Sequence, residues 1–174
     1  TVLLICEKRR LTLFKIGFKF MLSALFILLA VLQTAGANFY AGAVLSALAL
    51  CLVGDVCLAV PGLTAFRIGL VAFLLGHVAY IIAFVTVARP GVAMWLTALL
   101  AIPLSTLVYL RLLPLLNGMR RPVLSYVVVI TLMVIAAGTL FGDRAWPYAG
   151  RLLVLNGALA FYISDLFVAR QRFV

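Results

Sequence analysis

The sequence predicts an all-α integral membrane protein: a polytopic bundle of six full transmembrane helices after a partial N-terminal apolar segment. Of its 174 residues, 67% are hydrophobic and 10% are charged, whereas soluble domains are about half apolar and about a quarter charged. The apolar residues form continuous runs of about 20 residues, the length that a helix needs to cross a hydrocarbon core of about 30 Å. Because backbone groups in lipid must bond internally and the runs do not alternate like barrel strands, helices are the predicted spanning structure.

The six predicted spans are separated by short connections, so successive helices are expected to be antiparallel neighbours. They cover residues 13–34, 39–60, 64–87, 92–113, 122–141 and 147–169. The apolar run at 1–6 is too short to cross a membrane alone, and we expect it to be the end of a helix truncated upstream. Residues 1–174 are expected to form a single transmembrane domain.

The net charge of +10 is interpreted as a sign of membrane topology and not of nucleic-acid binding, because the basic residues lie at the ends of the apolar runs. The predicted face that is richer in them carries Lys8, Arg9, Arg10, Lys15, Lys19, Arg67, Arg111, Arg120, Arg121, Arg170 and Arg172. The other face carries Arg89, Arg144 and Arg151. By the positive-inside rule the first face is cytoplasmic, and we expect the membrane to be the inner (cell) membrane of a bacterium.

Two of the four acidic residues, Asp55 and Asp165, lie inside predicted spans. Charged groups there are costly and usually face a bundle interior or a watery cavity. The alternation of helices places both near the cytoplasmic ends of their spans, Asp55 about five and Asp165 about four residues from the end. We therefore expect the two carboxyl groups to meet in a pocket just beneath the lipid headgroups. The alternative is that each is an end-of-helix residue bonded to a neighbour.

Further polar side chains lie within the spans. His77, the only histidine, can carry or orient a proton near neutral pH, and Tyr80 follows on the same helix face. The alternative for His77 is a buried neutral ring bonded to a carbonyl or to Tyr80. Lys19 can pair with an aspartate, hold a lipid phosphate, or extend to the interface. Tyr126 lies at a similar depth, where interfacial tyrosines are common.

Small residues in the spans are interpreted as packing residues. The cysteines Cys6, Cys51 and Cys57 show no disulfide or metal-binding spacing. Close helix approach is expected at Gly54, Gly69, Gly76, Gly138 and Gly157.

Four segments resemble the YhhN family of membrane proteins. They are LVGDVCL (52–58), FRIGLVAFLLGHVAY (66–80), PVLSYVVVITLM (122–133) and NGALAFYISDLFVA (156–169). Two positions depart from the family pattern: Phe20 replaces a proline after Lys19, and Tyr162 replaces a phenylalanine. The family usually has more spans, so the chain is expected to lack part of the first and the last family helix.

The resemblance implies a lysoplasmalogenase-like hydrolase that cleaves the vinyl ether bond of a lysophospholipid, without a cofactor. It implies catalytic roles for Asp55, Asp165 and His77. Substrate-binding residues are expected to be Lys19, Tyr80, Tyr126 and Ser164. The expected partners are the lysophospholipid and the bilayer; the oligomeric state, the headgroup and the assignment of acid and base are left open.

Two alternatives differ from carboxylate catalysis. One is a metal hydrolase in which Asp55, His77 and Asp165 hold a zinc ion, although a lone histidine is a poor basis for such a site. The other is a small non-enzymatic transporter or lipid-binding protein, since buried carboxylates and glycine-bearing helices also occur in those proteins.

Overall fold

The computed structural model describes residues 12–33, 38–116 and 118–173, and it confirms the all-α prediction, with no strand in these ranges. The predicted partial segment at 1–6 lies outside the described residues. The helices are α1 (Thr12–Gln33), α2 (Phe39–Ala59), α3 (Leu63–Val87), α4 (Val92–Leu112), α5 (Arg120–Gly142) and α6 (Tyr148–Phe173). A 3₁₀ turn, Leu113–Leu115, continues α4.

The boundaries agree with the predicted spans to within one or two residues, except at the end of α6. This helix continues from the predicted end at 169 to Phe173. Arg170 and Arg172 lie in its last turn, where cations interact favourably with the helix dipole. At the start of α5, Pro122 is the third residue of the helix, whereas the predicted span began with it. Proline is tolerated there because amides of the first turn have no intrahelical partner.

All six helices are long and apolar enough to cross a membrane. Their outward faces are apolar as well: Leu32, Leu100 and Leu153 each expose 72–73% of their surface. Exposed leucine is unfavourable in water but neutral in lipid, because the hydrocarbon chains are as apolar as the side chain. The chain is therefore an integral, multi-pass membrane protein.

Contacts divide the chain into two compact units, Thr1–Tyr80 and Ile81–Val174. In the first, α1 packs on α2, and α2 packs on α3 through glycines. A Cβ atom on Gly69 would lie 3.2 Å from Cys57 Cβ, and one on Gly76 would lie 3.0 Å from Cys51 Sγ. The absence of these side chains lets α2 and α3 approach closely, as the sequence predicted.

The second unit is built around α5, which packs against α4 on one side and α6 on the other. Gly138 and Gly142 of α5 face Thr97 and Ala93 of α4 so closely that a Cβ atom would overlap them. The prediction for Gly157 is wrong, because no described atom lies within 4 Å of its Cβ position. Glycines thus bring α4 and α5 together, while the Cβ position of Gly157 on α6 is open.

Asp143 organises the turn between α5 and α6. Its carboxylate accepts hydrogen bonds from the backbone N–H groups of Ala145 (3.0 Å) and Arg89 (3.1 Å). The indole N–H of Trp146 donates to the Val87 carbonyl at 3.3 Å. These bonds attach the α5–α6 turn to the connection between α3 and α4.

The N–H groups of Ala145 and Arg89 hold the pKa of the Asp143 carboxyl below its usual value. Because the folded-state pKa is lowered, the ionised group stabilises the fold above its unfolded pKa of about 3.9, and this contribution is lost as the pH falls through the folded-state pKa. Asp143→Asn is therefore expected to lower the unfolding temperature at pH 7, with the difference from wild type shrinking below about pH 4. Thermal unfolding in detergent against pH measures this, and a constant difference would contradict it.

Candidate functional site

Asp55 is the centre of a polar cluster between α1 and α2. The Ser23 hydroxyl donates a hydrogen bond to Asp55 Oδ2 at 2.7 Å, and Lys19 Nζ lies 3.9 Å from Asp55 Oδ1. Lys19 and Ser23 are four residues apart on α1, so both project from the same face. We refer to Lys19, Ser23 and Asp55 as the α1–α2 cluster.

The α1–α2 cluster is polar and partly exposed. The side chains of Lys19 and Asp55 are 31% and 32% exposed, and an ion pair with that much exposure contributes only about 0–1 kcal/mol to stability. Placing a carboxyl group in the last turns of an apolar helix costs free energy. The small contribution of this ion pair to stability does not explain why Asp55 is there. Partial exposure does leave the carboxylate within reach of a bound molecule.

His77 lies on α3 in a different environment from Asp55. Its side chain is fully buried, and its ring centroid lies 6.4 Å from that of Phe73, one turn earlier. Tyr80, one turn later, is partly buried. The predicted neighbours His77 and Tyr80 thus share a mostly buried stretch of α3, and their functional roles remain predictions.

In the second unit, Asp165 on α6 is bonded to Tyr126 on α5. The Tyr126 hydroxyl donates to Asp165 Oδ2 at 2.7 Å. Asp165 lies eight residues before the end of α6 at Phe173, compared with the four expected, because the helix is longer than predicted. Ser164 is exposed beside it. The second predicted carboxyl group, like Asp55, is therefore held by a hydroxyl from a neighbouring helix.

A buried hydroxyl network joins the three helices of the second unit. Ser105 Oγ on α4 lies 2.9 Å from the Tyr162 hydroxyl on α6 and 2.7 Å from Thr131 Oγ1 on α5. Ser105, Thr131 and Tyr162 are all buried. The hydroxyl of Tyr162, the residue that the sequence analysis expected to replace a phenylalanine, links α6 to α4.

Tyr162→Phe is expected to lower the free energy of unfolding by about 0.5–1.5 kcal/mol. The hydrogen bond to Ser105 on α4 is lost, whereas the packing of the aromatic ring is kept. Tyr148→Phe is the matched control, since the Tyr148 side chain is 62% exposed, and it should change stability by less than about 0.5 kcal/mol. Unfolding of both variants in mixed detergent measures the difference. Equal losses would show that the network does not stabilise the unit.

The structure brings predicted site residues together at two places, Lys19 beside Asp55 and Tyr126 beside Asp165. Pairing of Lys19 with an aspartate was predicted, whereas the contact between Tyr126 and Asp165 was not. Each pair belongs to one unit, and the predicted meeting of the two carboxyl groups stays a prediction. The sequence analysis did not identify Ser23, although its position four residues after Lys19 places the two side chains on the same face of a helix. It also missed Ser105 and Thr131, whose pairing depends on the register between helices.

Metal ligands are not grouped in the described part of the chain: no three His, Cys, Asp or Glu side chains lie close enough there to hold an ion. Cys51 is buried and Cys57 is partly buried. The described residues therefore provide no preformed set of ligands for the metal site that the sequence analysis considered as an alternative.

In a comparison with known families, a model described as the YhhN family matches residues 14–174. Comparisons with curated proteins and with solved structures find no match. The matched range includes all seven predicted site residues.

Proposed function

Because this chain belongs to the YhhN family, we propose that it is a membrane-embedded hydrolase that cleaves the vinyl ether bond of a lysoplasmalogen. The products are a fatty aldehyde and a glycerophospho-base. The observation that supports this proposal best is that two carboxyl groups, Asp55 and Asp165, lie in apolar helices and are each hydrogen-bonded by a hydroxyl at 2.7 Å.

Vinyl ether hydrolysis needs an acid and a base. The acid protonates the outer vinylic carbon, and the electron pair of the double bond forms the new C–H bond, which leaves an oxocarbenium ion. Water adds to the cationic carbon as a base accepts its proton, and the resulting hemiacetal collapses to the aldehyde and the free alcohol. Glycosidases handle a similar oxocarbenium-like transition state with two carboxyl groups of different protonation state.

We assign the base to Asp55 and the acid to Asp165. Asp55 has Lys19 as its ionic partner at 3.9 Å, which suits a carboxylate that must stay charged. Asp165 accepts the Tyr126 hydrogen bond on Oδ2, and a neutral carboxylic acid can do so while its other oxygen carries the proton. Tyr126 and Ser23 then act as positioning residues for the two carboxyl groups.

His77 is the second candidate for the proton carrier, with Tyr80 orienting water. Its complete burial suits a group that is shielded from solvent until substrate binds. His77→Gln separates the two assignments: under the carboxylate mechanism the product still forms, whereas loss of all aldehyde would move the acid role to His77. Lys19, Tyr80, Tyr126 and Ser164 are proposed to contact the lysophospholipid.

The deciding experiment uses the full chain reconstituted in vesicles with an alkenyl lysophospholipid, and aldehyde is measured by mass spectrometry. In D₂O the aldehyde should gain one deuterium on the carbon next to the carbonyl, since that carbon receives the acid's proton. The matched control substrate is the saturated alkyl ether, which cannot be protonated in this way and should release nothing. Absence of aldehyde from the alkenyl lipid would reject the enzyme proposal.

The same vesicles test the alternative of a transporter or lipid-binding protein. That function predicts movement or retention of the lysolipid without covalent change, so lipid recovered intact and redistributed would favour it. The proposal also places the basic ends of the helices in the cytoplasm of a bacterial cell. Reporter fusions at the C-terminus test this orientation.

A further inference from the structure

A cavity lies on the other side of α5 from the Tyr126–Asp165 pair. It lies between α4 and α5 and has a volume of about 340 Å³, within the usual range of about 300–1,000 Å³ for ligand pockets. Its lining residues include Ile102, Thr106, Tyr109, Leu124, Val128 and Ile135. We call this cavity the lateral groove.

The surface that lines the lateral groove is formed mainly by apolar atoms. Ile102 and Val128 expose 53% and 49% of their surface, so the groove opens at the surface of the second unit. The floor contains Ser105 and Thr131, but these hydroxyls are bonded to each other and are only 4% and 7% exposed. A ligand in the groove therefore meets hydrocarbon and almost no polar atoms, as an aliphatic chain requires.

The groove has the length of one lipid chain. Leu124 and Ile135 are eleven residues apart on α5, which is about 16 Å along the helix axis and about half of a hydrocarbon core of roughly 30 Å. The groove ends where Gly138 brings α5 against Thr97. Pro103 interrupts the hydrogen bonding of α4 at this level and favours a bend that separates the helices.

The mouth of the groove is positively charged. Arg120 is four residues before Leu124, and Arg121 is seven before Val128, so both project toward the groove face of α5. Both are exposed. They also lie in the first turn of α5, where free amides and the helix dipole favour an anion.

We infer that the lateral groove binds an anionic phospholipid of the bilayer, with one acyl chain between α4 and α5 and its phosphate at Arg120 and Arg121. This site is separate from the proposed hydrolysis. Tyr126 is two residues from Leu124, and a rotation of about 100° per residue puts it on the opposite side of α5. The lipid is a resident ligand that covers the exposed apolar walls.

Native mass spectrometry of the purified full chain tests this inference, with phosphatidylglycerol and phosphatidylcholine of identical chains as the probes. Phosphatidylglycerol should bind more tightly to the wild type. The double variant R120Q/R121Q should weaken its binding by about 30-fold, equivalent to about 1 kcal/mol for each arginine near the surface. Arg170→Gln, an exposed arginine on α6, is the control and should bind like the wild type.

Two variants fill the groove, Val128→Phe and Thr106→Phe. Both positions are exposed on the wall, so a larger side chain is tolerated by the fold, and each should reduce phosphatidylglycerol binding by about 10-fold or more. Leu107→Phe, exposed on another face of α4, should bind as the wild type does. The inference is overturned if both filled variants retain wild-type binding, or if the two lipids bind equally.

Discussion

Replacing Asp55 by asparagine is expected to lower the rate of aldehyde release from an alkenyl lysophospholipid by about 10²- to 10⁴-fold. Asparagine has nearly the same shape, and its amide oxygen can still accept the Ser23 hydrogen bond, so the helices should keep their packing. What is lost is a group that can accept and release a proton. Initial rates at saturating lipid, with unfolding measured in parallel, separate lost chemistry from lost stability.

Asp143→Asn is the matched control for this experiment. It makes the same chemical change at a partly exposed aspartate whose bonds go to backbone amides of a turn. Assayed below its unfolding temperature, it should release aldehyde at the wild-type rate. If both variants lose activity equally, the effect of Asp55→Asn is structural and the assigned role is wrong.

The double variant D55N/D165N tests whether the two carboxyl groups act on one substrate bond. Groups that act as a unit are strongly non-additive, because removing either partner already abolishes their joint contribution. The double variant should therefore be about as slow as the slower single variant. Multiplicative losses would indicate that the carboxyl groups act independently, contrary to the proposal.

Gly138→Ala is expected to destabilise the second unit by about 1–3 kcal/mol. The added methyl group would overlap the Thr97 side chain, including its Cβ atom, so rotation of Thr97 alone cannot make room. Either the helices α4 and α5 separate or Thr97 loses its bond to the Ala93 carbonyl, now 2.7 Å long. Unfolding in mixed detergent measures the loss.

Gly157→Ala makes the same substitution on α6, where the Cβ position is open. It should be neutral, or stabilise by up to about 1 kcal/mol, through better helix propensity. The double variant Thr97→Gly/Gly138→Ala should recover part of the stability lost in Gly138→Ala. Removing the Thr97 side chain from α4 makes room for the methyl group on α5. Similar losses for both single alanine variants would show that the α4–α5 contact is not what limits stability.

Much of the fold could be predicted from the sequence because membrane insertion depends on local composition. Runs of about 20 apolar residues predict spans without knowledge of their neighbours, and five of the six helices match to within two residues at each end. The exception is the end of α6, which continues four residues beyond the predicted 169. The apolar run ends at 169, but Arg170 and Arg172 extend the helix because cations at a helix C-terminus stabilise the last turn.

The candidate site was only partly predictable. Asp55, Asp165 and His77 stand out because charged or titratable residues are rare in apolar segments. Ser23, Ser105 and Thr131 do not stand out, since serine and threonine are common in membrane helices and commonly bond to their own backbone. Their partners follow from which helix faces meet, and no local pattern contains that information.

The sequence by itself determined the membrane environment, the apolar runs that form the spans, and the few titratable groups inside them, because these properties depend on the local composition of the chain. Only the tertiary structure decided which hydroxyl holds which carboxyl group, that Gly138 and not Gly157 is a helix contact, and that a groove opens between α4 and α5. These features depend on rotation and register of one helix against another, and differences of a few ångströms in packing set them.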